Sequence, residues 1–205
     1  MYPYVNICIC IAPGANINED RIARDITIAE YIWHPIVFQI EDISTLDEAY
    51  RFNDGEISYM SSLKSQPKLT SLFAECTERA SQSDIYICYI GSDYFQEHSV
   101  IACAYSLSTN KQIKGYIILT NSASAWKNMY TLAHEIGHIL FTRRVQDKLT
   151  NADPECPNGS EHHPSPTNLM HYIIPTPYKS QIDSLLTNTQ RELSLKSPLL
   201  RKEKK

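Results

Sequence analysis

Stretches of helical period alternate with short apolar runs for most of the chain. Val5 to Ile11 is apolar and rich in β-formers, and Pro13-Gly14 ends it, which predicts a buried strand. Asn18 then stands as a helix N-cap with Glu19 and Asp20 in the first turn. Ile22, Ala23, Ile26, Ala29, Ile32 and Trp33 keep a helical stripe until Pro35 stops it. Ile36 to Ile40 reads as a second strand. The polar stretch from Glu41 to Pro67, with Asn53-Asp54-Gly55 as a turn, has no period and predicts loop with short pieces of structure. Leu69, Leu72, Phe73, Cys76 and Ala80 set a helix over 68–81. Ile85 to Ile90, closed by Gly91, is a third strand. Val100 to Leu107 mixes Ser and Tyr into an apolar run, as a sheet-edge strand does, and Gly115 to Leu119 is a further strong strand. A long helix is expected from about Ala125 to Phe141, capped by Ser122 or Ser124. Regular structure is then sparse until a short helix at Thr187 to Lys196.

Composition narrows the classes. With 205 residues, 42% of them hydrophobic, the chain can bury a real core and is expected to form one domain. Its formal charge is −4, and basic residues concentrate only in Arg201-Lys202-Glu203-Lys204-Lys205, so no nucleic-acid partner is expected and the tail reads as a solvated terminus. No stretch approaches the roughly 18 apolar residues of a membrane helix. Met1 to Ala12 lacks an early Lys or Arg, and Asn6 interrupts its apolar run. No classical signal peptide is therefore expected, which leaves the cytoplasm or export by a non-classical route. Oligomeric state is not legible.

Six cysteines are present, and Cys8, Cys10, Cys76, Cys88 and Cys103 lie in apolar runs while Cys156 does not. They read as buried free thiols, although an even count is also compatible with disulfides. Cys8 and Cys10, two apart on one strand, point the same way, as shared core packing would have them. No Cys-x-x-Cys pair occurs, which argues against a structural zinc knuckle.

The candidate chemistry lies in His134-Glu135-Ile136-Gly137-His138. Residues four apart share a helix face, so His134 and His138 can each aim a ring nitrogen at one metal ion while Glu135 projects alongside as a base. Zinc takes neutral nitrogen ligands at about 2.0–2.1 Å in a tetrahedral frame, which a rigid helix supplies. Leu132, Ala133, Ile136, Ile139, Leu140 and Phe141 surround the polar triplet and predict a buried helix. A glycine inside a helix costs about 1 kcal/mol relative to alanine, so Gly137 points to close packing against another backbone. A catalytic zinc usually has three protein ligands and one open position, so a third ligand is needed. Five of the seven histidines fall between His134 and His171, and Glu161-His162-His163-Pro164 opens a proline-rich stretch that runs to Asn168-Leu169-Met170-His171-Tyr172.

On these residues the chain resembles the metzincin metallopeptidases, whose two-histidine helix is followed by a third histidine and by a tight methionine-containing turn beneath the metal. Asn168-Leu169-Met170-His171-Tyr172 is similar to that Met-turn, in a form close to astacin-like members. The resemblance implies that Met170 is the floor under the zinc and no ligand, and that Tyr172 swings toward the metal to stabilise the tetrahedral intermediate. The chain departs from the compact motif, because Phe141 and Arg144 stand where its glycine and third histidine would fall. Arginine cannot bind zinc, so the third ligand follows an insertion: His162 is favoured, His163 is the near alternative, and Glu161 or Asp153 would be an oxygen ligand.

The order of elements is similar to that of a metzincin N-terminal subdomain with one extra helix at 68–81. The implied fold is α/β (α+β): a mixed, mostly parallel twisted sheet with an antiparallel edge strand, packed on the zinc helix. Residues 1–142 would carry the sheet and zinc helix and 143–205 a small irregular C-terminal subdomain, together one catalytic domain. The implied activity is zinc-dependent endopeptidase, with one catalytic Zn2+, Glu135 as general base and a peptide or protein substrate. That substrate would pair with an edge strand above the metal, for which Ala102, Cys103, Ala104 and Tyr105 are the candidates. Three other readings share the motif: a hydrolase of another zincin clan with an acidic third ligand, a delivered effector or toxin peptidase, and a non-catalytic zinc-binding module.

Overall fold

The computed structural model describes residues 2–109, 112–177 and 182–202, apart from the side chains of Glu19 and Thr109. Strands β1 (Tyr4–Ile11), β2 (Val37–Thr45), β3 (Ile85–Tyr89), β4 (Ala102–Thr109) and β5 (Gln112–Leu119) form one sheet in the order β2-β1-β3-β5-β4. All neighbours pair in parallel except β4, which runs antiparallel to β5 and forms the edge. Helices α1 (Glu19–Ile32) and α3 (Thr131–Leu140) cover one face, and α2 (Pro67–Arg79) covers the other. The fold class is the expected one: a mixed, mostly parallel sheet with an antiparallel edge pair.

Period-two alternation assigns the faces. Val5, Ile7 and Ile9 of β1 and Ile85 and Ile87 of β3 pack with Ile26, Ala29 and Ile32 of α1 and with Leu132, Ala133 and Ile136 of α3. The intervening residues pack with Leu69, Leu72 and Phe73 of α2. On that second face Tyr116 lies stacked between Phe73, at 4.4 Å, and its register partner Tyr86, at 5.1 Å. Among the described residues no helix is long and apolar enough to cross a membrane.

Four expectations are corrected. The second strand continues past Ile40 to Thr45, because β2 is an edge strand whose outer face is exposed and accepts polar residues. The strand expected at Gly115 begins at Gln112, paired along its length with β4. The helix expected from Ala125 begins at Thr131. Ala125 is extended (ψ 142°), so two short 3-10 turns, Asn121–Ser124 and Trp126–Asn128, precede it. Neither Ser122 nor Ser124 caps it, since the N-cap is Tyr130 with no side-chain cap bond. Beyond α3, a hairpin of β6 (Arg143–Val145) and β7 (Lys148–Thr150) occupies sequence read as irregular. Its turn residues Gln146 and Asp147 both take positive φ, as a two-residue hairpin turn demands, without the Asn-Gly signal that usually marks one. Helix α4 (Asn188–Ser194) follows, capped reciprocally by Thr187 and Gln190.

All ten residues of α3 are buried. Two glycines let it approach its neighbours. A Cβ at Gly115 of β5 would lie 2.5 Å from Ile139, and a Cβ at Gly137 would lie 2.4 Å from the Met170 sulfur and 2.8 Å from the Trp33 ring. Trp33 cannot retreat freely, because its Nε1–H donates to the Ala133 carbonyl at 2.8 Å and its ring sits edge-on to Phe141. Gly137→Ala is therefore expected to cost about 1–3 kcal/mol by overpacking, more than the ~1 kcal/mol it gains in helix propensity. Thermal unfolding checks this: the variant melts lower, and an equal or higher Tm would mean that the contact at Gly137 is not limiting.

Candidate metal centre

Helix α3 carries His134 and His138 one turn apart, and their Nε2 atoms face each other at 3.0 Å. The loop after β7 brings His162 to the same point. One ring nitrogen from each of His134, His138 and His162 lies within 4.8 Å of the others. The His134 and His162 rings are near parallel (16°), and His138 stands perpendicular to both (85° and 90°). His134 Nδ1 lies 2.7 Å from the Leu169 carbonyl. A carbonyl only accepts, so Nδ1 carries the proton and Nε2 presents its lone pair to the cluster.

Electrostatics favour a ligand role. Burial lowers the pKa of all three imidazoles, that of His138 to about 3, so they are neutral, as metal ligands must be. Glu135 is buried on the same helix, and burial pushes its carboxyl up to about 8, with a further push from the charge of Glu161. A cation beside it would act in the opposite direction, favouring the carboxylate. Three neutral nitrogens converging on one point, with the buried Glu135 next to His134 on the same helix, fit a divalent metal with nitrogen preference, such as zinc.

His163 does not join the cluster. Its Nε2 lies 3.2 Å from Glu155 and its Nδ1 accepts from the Ser165 N–H at 3.1 Å. Glu161 is exposed and accepts from the Asn151 amide at 2.6 Å. Asp153 is buried but engaged by Gln190 Nε2 at 2.6 Å and the Glu155 N–H at 2.9 Å. Met170 is fully buried against Gly137, directly on the histidine helix. Tyr172 is 68% exposed, its ring against that of His171. Ala102 and Ala104 of β4 lie on the α3 side of the edge strand, Cys103 and Tyr105 on the α2 side. The end of α3 is tied to this strand by a 2.7 Å hydrogen bond between the hydroxyls of Thr142 and Ser106.

Sequence reasoning missed the residues that hold the His162 loop. Ser160 Oγ donates to the His162 carbonyl at 3.0 Å and accepts its N–H at 3.1 Å, and the His163 N–H donates to the Met170 carbonyl at 2.9 Å. Asn168 exchanges two side-chain hydrogen bonds with Gln190, at 2.9 and 3.1 Å, and accepts the Met170 N–H at 2.9 Å. Thr187-x-x-Gln190 is a capping-box pattern and was a usable signal for the helix, but not for this buried network.

In fold the chain is similar to metalloproteinase-II from Bacteroides fragilis, whose crystal structure superposes with a TM-score of 0.56 at 16% sequence identity, over 95% of this chain and 52% of that one. The chain thus spans about half the length of that structure, and the likeness is one of fold. No family model and no curated protein matches the sequence.

Gln190→Leu is expected to strand the Asp153 carboxylate and the Asn168 amide in the interior. Each group left unsatisfied costs about 1–3 kcal/mol. Urea unfolding should show a lower midpoint and metal titration a weaker site, because the network holds the turn whose Leu169 carbonyl accepts the His134 Nδ1–H. An unchanged midpoint would mean that the network does not support the loop.

Proposed function

We propose that this protein is a zinc-dependent endopeptidase of metzincin type, with His134, His138 and His162 as metal ligands and Glu135 as general base. The observation that carries the reading is the convergence of three neutral imidazoles, two of them on the helix that also buries Glu135, on a fold similar to that of a metalloproteinase. Zinc in such a three-nitrogen site supplies Lewis acidity and brings water toward a pKa of about 7.

The chain's own residues do the rest. Glu135, buried on α3, takes a proton from the attacking water and returns it to the leaving amine nitrogen. An extended peptide lies along the open side of β4 and adds a strand there, with Ala102 to Tyr105 supplying main-chain hydrogen bonds. Met170 closes the floor of the site against Gly137. Tyr172, whose ring is not held in the core, is the phenol available to the developing charge. His163, engaged by Glu155 and Ser165, orders the loop.

Two experiments test the assignment. His162→Ala is expected to lose both zinc and peptide cleavage while His163→Ala keeps both, read by metal analysis alongside cleavage of a broad peptide library. The reverse pattern would exchange the two histidines, and zinc retained in both variants would refute the three-histidine site. Glu135→Gln is expected to keep the metal and to lower kcat by about 10²–10⁴-fold, the usual contribution of a positioned base. Full activity in that variant would remove Glu135 from the chemistry. Zinc binding without cleavage of any peptide by the wild type would leave a non-catalytic zinc module.

A further inference from the structure

The two faces of the sheet differ in their chemistry. On the α1/α3 face, the inner residues of β1 and β3 are Val5, Ile7, Ile9, Ile85 and Ile87, all aliphatic. On the α2 face the same strands present Cys8, Cys10 and Cys88, and α2 adds Cys76. Four of the six cysteines therefore meet in one place, drawn from three segments. Cys10 and Cys88 are register partners on neighbouring strands. The Sγ atoms of Cys10, Cys76 and Cys88 all lie within 4.8 Å of one another, and Cys76 and Cys88 are 3.7 Å apart. Cys8 Sγ stands 3.7 Å from Cys10 Sγ.

Packing needs no such grouping, because valine or alanine would fill these positions as well as a thiol does. A bound metal ion would account for it. With zinc–sulfur bonds of about 2.3 Å, two thiolates on a tetrahedral ion sit roughly 3.8 Å apart, the spacing of both close pairs here. All four side chains have no solvent exposure, as a closed structural site requires. Three thiolates around a divalent ion leave one net negative charge and around a monovalent ion two, so zinc costs less than copper(I) in this dry setting.

We propose that Cys10, Cys76 and Cys88 form a structural zinc site on the face of the sheet opposite the histidine cluster, with Cys8 beside Cys10 but outside the group of three. On binding, each thiol releases its proton to solvent and forms a zinc–sulfur bond, with no change of oxidation state. The ion would tie α2 to β1 and β3.

The test is cobalt(II) substitution of the whole folded chain. Sulfur ligands give an intense sulfur-to-cobalt charge-transfer absorption in the near ultraviolet, whereas a histidine-only site does not. The band is expected in the wild type and in His134→Ala, and to be lost in Cys76→Ser and in Cys88→Ser. Zinc analysis should give about two ions per wild-type chain and about one in either class of variant, as two independent sites require. Absence of the band in folded wild type, with no more than one zinc per chain, overturns the proposal. That readout needs no variant, so a substitution that fails to fold does not decide it, and it is independent of peptide cleavage.

Discussion

The close approach of Met170 and Trp33 to the backbone of α3 at Gly137 is the contact on which the rest depends. It works only because position 137 has no side chain, and it fixes three segments at once: the end of α1 through Trp33, the histidine helix, and the turn at 168–171. Because α3 is buried on all sides, its orientation is set by these contacts and by Ile139 against Gly115. The histidines inherit that orientation. His134 is locked further by its bond to the Leu169 carbonyl, which belongs to the same turn. A side chain at 137 would thus disturb the helix, the turn and the ring orientation together, which is how a core contact becomes a constraint on chemistry.

Burial then decides what the donor groups are. An imidazole taken out of water loses its proton readily, and a carboxyl taken out of water keeps it. The same dry environment therefore makes His134 and His138 neutral donors and raises the proton affinity of Glu135. The opposite face of the sheet gathers sulfur, from β1, β3 and α2. The histidines come from α3 and a loop on one side of the sheet, and the clustered cysteines from β1, β3 and α2 on the other.

How much of this was legible in the sequence varied with the range of the interaction. The two-histidine helix and the β1, α1, α2, β3 and α4 elements are local patterns, and they were readable because side-chain period acts within one or two turns. The edge position of β4 was readable from its mixed Ser and Tyr content. The start of α3 was not, because the extended backbone at Ala125 reflects packing that no local propensity announces. Nor was the choice between His162 and His163, adjacent residues that differ only in what the folded loop sets beside them: Glu155 and Ser165 for one, the helix histidines for the other. The sulfur cluster was partly visible, since Cys8 and Cys10 share a face, but its other members come from α2 and β3 and required the topology.

The long spacing to His162 also has a physical account. His162 lies 24 residues beyond His138, against six in the compact form of the motif, which is two doublings of the loop. Each doubling costs about 0.6 kcal/mol in closure entropy, so the insertion costs about 1.2 kcal/mol. One or two buried hydrogen bonds, at about 0.5–1.5 kcal/mol each, offset this. The loop has more than that: the β6–β7 hairpin shortens its free length, Ser160 holds His162 at both its N–H and its carbonyl, and Gln190 joins Asp153 to Asn168. A third donor can therefore come from a distant loop with little loss of precision, provided that the loop is anchored to the same turn that carries Met170. The Asp153–Gln190–Asn168 network supplies that anchor, and it accounts for the burial of the Asp153 carboxyl group.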